Sequence, residues 1–213
     1  MANVAGGSIT PFYTIWTEPR ATIRRIVDTN PTRYVVALAA TGPAISTLES
    51  QWSKAIGNSA NLSPLWPVWV PIYVMLAAAV GIVSLYIGGA VWRWAGGLLG
   101  GVASSVDVRA AIAWSSVPGI AGEIVLLVAI LMGTPVPQAT AGAMPHVDPG
   151  FYKFIFVEAV LGVWGFVILL KTIGEVHRFS AWRALVAGLI PPLIAFASIG
   201  LLIFLIWSLV GHH

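Results

Sequence analysis

The chain has 213 residues, of which 58% are apolar and only 9% charged, and it carries a formal net charge of +3 with a mean hydropathy of +0.88. A water-facing surface ordinarily needs about a quarter of a chain as charged residues, so a soluble globular domain is excluded and most of the surface must face lipid. The absence of cysteine also excludes disulfide frameworks, thiolate metal sites and cysteine nucleophiles.

Residues 1–30 read as a tail with an amphipathic interfacial helix. Met1 to Thr10 offers neither a basic start nor an apolar run, which argues against a cleaved signal peptide. From Pro11 to Asn30, Phe12, Ile15, Trp16, Ile23, Ile26 and Val27 recur at helical spacing, with Arg20, Arg24, Arg25 and Asp28 between them. Pro19 suits a first helical position and Asn30-Pro31 a stop. The pattern fits a helix on the membrane surface or a solvated helix packed beneath a bundle.

Residues 31–211 read as an all-α transmembrane domain of five spans, at about 34–52, 65–92, 110–132, 154–170 and 184–210. The last four are apolar over nearly the length of about 20 residues, or more, that a bilayer requires. The first is weaker, with Thr41, Gly42, Pro43, Ser46 and Thr47 inside it, and a re-entrant or interfacial helix is its alternative. Connections at Gly57 to Pro64 and Gly133 to Gly150 are too short to be domains, and glycine-rich Ala95 to Ser105 reads as a flexible hairpin. Residues 212–213 read as a polyhistidine-tag remnant.

Charge supports five spans. With the N-terminus cytoplasmic and the C-terminus outside, Arg20, Arg24, Arg25, Arg33, Arg93, Arg109, Lys171, Arg178 and Arg183 fall inside, against Lys54 and Lys153 outside. Nine against two follows the positive-inside rule. Trp52, Trp66, Trp69 and Trp207 then fall at the outer interface and Trp92, Trp94, Trp114 and Trp182 near the inner one, while Trp164 reads as a packing residue.

Enzymatic chemistry is disfavoured. The glycines of Trp94 to Gly101 lack the Lys-Ser/Thr partner and preceding strand of a phosphate loop. Ser115 and Ser116 have no nearby His or Lys to activate them, and His146 and His177 fall on opposite sides. No cofactor is expected. Ionisable groups at membrane depth are costly and often functional. At about 1.5 Å per residue, Glu123 comes out about 21 Å, Glu158 about 20 Å and Glu49 about 24 Å from the inner boundary, so the three share one layer. Glu123 shares a helix face with Ser116, Gly119 and Ile120, and Glu158 one with Gly162 and Gly165, which turns both toward neighbouring helices. Glu123, Glu158, Glu49 and Ser116 are therefore the candidate intramembrane polar site, for protons or cations if it is not a set of merely tolerated carboxylates. Arg20, Arg24, Arg25, Arg93, Arg178 and Arg183 are the candidate cytoplasmic contacts for a partner or anionic lipid.

Three local patterns, in order and at matching spacing, carry a resemblance. They are Phe12-Tyr13-Thr14-Ile15-Trp16-Thr17-Glu18-Pro19-Arg20-Ala21-Thr22-Ile23-Arg24-Arg25-Ile26, Ala113-Trp114-Ser115-Ser116-Val117-Pro118, and Val176-His177-Arg178-Phe179-Ser180-Ala181-Trp182-Arg183-Ala184-Leu185. Together they resemble the bacterial Yip-domain family, relatives of the Ypt/Rab-interacting membrane proteins, over about Pro11 to Leu209. The resemblance implies five helices with a cytoplasmic N-terminus. Its eukaryotic members are linked to vesicle traffic and membrane shaping, whereas for bacterial members it implies a fold more than a function. The expectation is a non-enzymatic protein of a prokaryotic plasma membrane that binds partners or organises membrane. Its partners would be lipids, a second copy or a membrane complex, and not nucleic acid. A small transporter or channel using the carboxylates, or an accessory subunit of a larger complex, are the alternatives.

Overall fold

The computed structural model describes residues 10–57, 63–134 and 150–210, and among these all regular structure is helical. In chain order the helices are α1 (Thr10–Thr17), α2 (Pro19–Thr29), α3 (Val35–Gly57), α4 (Trp66–Leu98), α5 (Ser105–Ser115), α6 (Val117–Leu131), α7 (Phe151–Val176) and α8 (Ala181–Val210). Four stretches are long and apolar enough to cross a membrane: Trp66–Leu98, Ser105–Leu131, Phe151–Val176 and Ala181–Ser208. His146 and His212-His213 lie outside the described residues.

Where one amphipathic helix is expected near the N-terminus, there are two. Proline disfavours helical backbone in the residue before it, and Glu18, preceding Pro19, sits at φ −125° and ψ 57°, which ends α1 and restarts the chain as α2. The pair packs beneath the bundle rather than lying free on a surface. Ile15, Ile23 and Ile26 are buried in the main hydrophobic core with Val108, Trp114, Ile168 and Ile173, and α2 rests on α5 and α7.

The third apolar stretch is two helices. Ser104 starts α5 with a reciprocal capping box: its hydroxyl accepts from the Asp107 backbone N–H while the Asp107 carboxylate accepts from the Ser104 backbone. Pro118, without an N–H, cannot continue the helical hydrogen-bond ladder. The ladder breaks at Ser116, whose N–H reaches only to the Ala113 carbonyl at 3.3 Å. α5 supplies small buried residues, Ala110, Ala111, Ala113 and Ser115, and packs against α3, α4 and α7. Trp114, expected near an interface, is instead fully buried, its ring 4.8 Å from that of Phe12 and 6.3 Å from that of Tyr34. Conversely Trp164, expected to pack, is 40% exposed with the Lys171 ammonium 5.9 Å from its ring.

α3 lies antiparallel along α4, with Ala39 and Pro43 against Gly81 near one end and Trp52 against Trp66, ring centroids 6.2 Å apart, near the other. Its 23 residues would extend about 35 Å, enough for the hydrocarbon layer. Thr41, Pro43, Ser46, Thr47, Glu49 and Gln51 dilute its aliphatic residues, and it is not among the four apolar stretches.

α7 ends in a Schellman turn. The Phe179 N–H donates to the Gly174 carbonyl at 2.8 Å and that of Arg178 to Glu175 at 3.1 Å. The left-handed position that normally takes glycine is filled by Arg178 at φ 61°, and Tyr34, before α3, has φ 57°. Each such residue costs about 1–2 kcal/mol of backbone strain. α8 packs on α4 and α7 through Ala184, Ala187 and Gly188, the last against the Trp92 ring. Beyond Pro191, every residue from Pro192 to Trp207 is exposed.

A methyl group built on Gly81 would overlap the Ala39 carbonyl and lie 2.8 Å from Pro43 Cγ, whereas one on Gly88 meets nothing within 4 Å. Gly81→Ala is therefore expected to destabilise the bundle by about 1–3 kcal/mol, read as a lower melting temperature in mild detergent. Gly88→Ala should leave that temperature unchanged or raised.

Candidate functional site

At mid-bundle the close approach of α3 to α4 and of α6 to α7 leaves a cavity of about 670 Å³. Its walls come from α3 (Leu38, Gly42, Pro43, Ser46), α4 (Gly81, Ser84, Leu85), the α5–α6 joint (Ser115, Ser116, Gly119, Ile120, Glu123) and α7 (Leu161, Gly162, Gly165, Phe166). Glycine and serine at those positions make the space, because each withholds the side-chain volume a leucine would put there. The cavity is open rather than enclosed, and no α8 residue lines it.

The structure gathers the three predicted carboxylates. Glu49, Glu123 and Glu158 interact electrostatically with one another. Glu123 lines the cavity, with its Oε2 3.4 Å from the place a Gly42 Cβ would occupy. Glu158 sits just outside it, where α7 closes on α6 at Gly122. Glu49 is 8% exposed and lies beside the Leu127 backbone. Glu49 Oε1, Glu123 Oε2 and Glu158 Oε1 are buried and have no hydrogen-bond partner among the described residues. No group of three or more His, Cys, Asp or Glu among the described residues is arranged to hold a metal ion.

Ser116 lines the same cavity, but its hydroxyl donates to the Ala113 carbonyl at 2.7 Å, and Ser115 donates likewise to Ile112 at 2.7 Å. Both hydroxyls are spent on the backbone freed by the α5–α6 break. Sequence reasoning missed Ser46 and Ser84 as lining residues. Their only signal was a small residue on an otherwise apolar helix.

The six predicted arginines do not form one surface. Arg20, Arg24 and Arg178 line a single recess with Glu175, Phe179 and Ser180. Arg93 lines a separate one against the α4–α5 turn. Arg25 and Arg183 are exposed and line neither. Glu175, which the sequence did not single out, accepts from Arg24 Nε at 2.7 Å and from Arg20 Nη1 at 3.5 Å.

The same end of the molecule hides His177, which is 2% exposed and has neither ring nitrogen hydrogen-bonded among the described residues. Its ring stacks on Phe179, with centroids 5.1 Å apart and planes 6° from parallel. It also fills the space where side chains of Gly96 and Gly101 would be: a Cβ on Gly96 would lie 2.5 Å from His177 Nε2, and one on Gly101 2.8 Å from Cγ. The glycine-rich stretch is thus a fitted wall for one imidazole, not merely a loose hairpin.

A family model for the Yip1 domain matches residues 13–203. The chain belongs to the Yip1 domain family. With its long apolar helices it is an integral membrane protein. Comparison with curated proteins and with solved structures gave no match.

Burial lowers the pKa of His177 below its ordinary value. The folded protein therefore resists a proton that the unfolded chain accepts, and stability is lost as pH falls below the ordinary histidine value. The melting temperature is expected to drop between about pH 7.5 and about pH 5.5, and His177→Leu should flatten that dependence.

Proposed function

We propose that this Yip1-domain protein is a non-enzymatic, membrane-organising protein that works by taking the acyl portion of a lipid into the cavity between α3, α4, α5–α6 and α7. The observation that carries this reading is the cavity itself: mostly apolar, walled in large part by small residues and open rather than enclosed. Its size argues for a thin occupant. A helix about 10 Å across would fill the roughly 670 Å³ with under two turns, which suits a hydrocarbon chain and not a partner's spanning helix. Glu123, with an unpartnered oxygen at the wall, would accept a hydrogen bond from the polar part of the occupant.

In this reading the chain crosses five times in a prokaryotic plasma membrane, with the arginine-rich end cytoplasmic. The nine-to-two charge distribution and the length and antiparallel packing of α3 against α4 support it. The cysteine-free sequence makes the topology directly measurable. Single cysteines at Arg25 and Lys153 in intact cells should differ, with only the second labelled by a membrane-impermeant maleimide. The reverse pattern would invert the bundle, and labelling of both would remove a span.

A photoreactive phenylalanine derivative in place of Ser84 tests the occupant, read as the mass of the adduct after irradiation in native membranes. A lipid adduct is the expected result; adducts only to protein would sink the lipid reading. A second reading, proton handling, is favoured specifically by the convergence of Glu49, Glu123 and Glu158. It requires a proton flux in reconstituted vesicles that Glu123→Gln and Glu158→Gln abolish, and no flux would end it.

A further inference from the structure

Three arginines converge on one carboxylate where α7 turns into α8. Arg20 and Arg24 on α2 are both tied to Glu175, whose side chain is 13% exposed while theirs are 45% and 59% exposed. Arg178 stands on the same recess, of about 760 Å³, and its guanidinium makes no hydrogen bond or ion pair among the described residues. Arg20 and Arg24 thus share one carboxylate and Arg178 has no ion-pair partner among the described residues, although Asp28 and Asp107 line the adjoining recess with Arg24 and Arg178.

The backbone sharpens the point. Arg178 occupies the left-handed position of a Schellman turn at φ 61°, a place where glycine would relieve strain and where no hydrogen bond or ion pair of the arginine side chain among the described residues offsets it. A strained residue that the fold gains nothing from is a marker of function. Guanidinium groups recognise phosphate through paired charge-assisted hydrogen bonds, and the fixed pair Arg20–Arg24 presents two of them beside the free third.

We propose that this recess is a binding site for the phosphate of an anionic lipid headgroup, with Arg178 as the principal ligand and Arg20 and Arg24 as its flank. The neighbourhood points to lipid as the source of the phosphate. The recess lies at the junction of two helices long and apolar enough to span a membrane, and Trp182, the second residue of α8, is 78% exposed, as an interfacial anchor would be. The site is separate from the cavity that holds the proposed acyl chain, and its chemistry does not depend on which leaflet it faces.

The test is native mass spectrometry of the full chain in mild detergent, titrated with phosphatidylglycerol or with zwitterionic phosphatidylcholine. The expected result is one tightly retained phosphatidylglycerol, with affinity weakened about tenfold in Arg178→Gly, the loss of one charged hydrogen-bonding group. Arg178→Lys should retain most of it. Arg178→Gly should at the same time melt higher than the parent, because glycine relieves the turn, so lost binding cannot be blamed on lost folding. Equal retention of the two lipids, or unchanged phosphatidylglycerol binding in Arg178→Gly, overturns the site. Displacement of the lipid by millimolar inorganic phosphate, with phosphate itself raising the melting temperature through Arg178, overturns lipid as the source. Failure of the photo-adduct at Ser84 leaves these readouts unaffected, which keeps the two proposals apart.

Discussion

Helices in a bilayer have no hydrophobic gain from touching one another, since lipid tails are as apolar as leucine, so this bundle rests on backbones that come close enough for dispersion contacts to accumulate. Gly81 against the Ala39 carbonyl, Gly122 against Leu161 and Gly165 against the Ser115 carbonyl are the places where that happens. α5, with alanines on its buried faces, lets α3, α4 and α7 gather around it. The cavity is the other side of the same economy. Where two small residues face each other across a gap too wide to close, their missing side chains become space.

The packing is uneven along the membrane normal. The buried core, from Ile15 through Trp114 to Phe179, collects at the arginine-rich end, where α1, α2 and the two turns add soluble-like burial to the spans. Toward the opposite end, the residues of α8 beyond Pro191 are exposed and apolar surface predominates. One end is thus a tight plug and the other a looser frame. The division places the rigid arginine recess and the open cavity in different mechanical settings.

Membrane class and the four long helices could be read from the sequence because composition and run length report directly on the bilayer as solvent. That Glu49, Glu123 and Glu158 interact with one another could be anticipated too, since helical rise converts residue count into position along neighbouring helices. What stayed hidden depended on contacts between distant residues. Nothing local distinguishes Glu175 from any other helix-end acid, and its meaning comes from Arg20 and Arg24 on a helix about 150 residues away. Gly96 and Gly101 look like loop punctuation until His177 is seen filling their space. The burial of Trp114 stayed hidden for the same reason. An indole near a helix end usually marks an interface, but α1 and the Tyr34 turn cover this one.

That long separation between α2 and α7 also fixes an order of events during synthesis. The helices that finish the core leave the ribosome about 150 residues ahead of Ile168, Ile173 and Glu175, on which they settle. For most of the chain's elongation α1 and α2 have no protein surface to bury Ile15, Ile23 and Ile26 against. An amphipathic segment with three arginines on its polar side can wait in the headgroup layer of the bilayer without aggregating. The strongly two-sided pattern of α2 then serves the nascent protein as well as the finished one: a parking place first, a keystone afterwards.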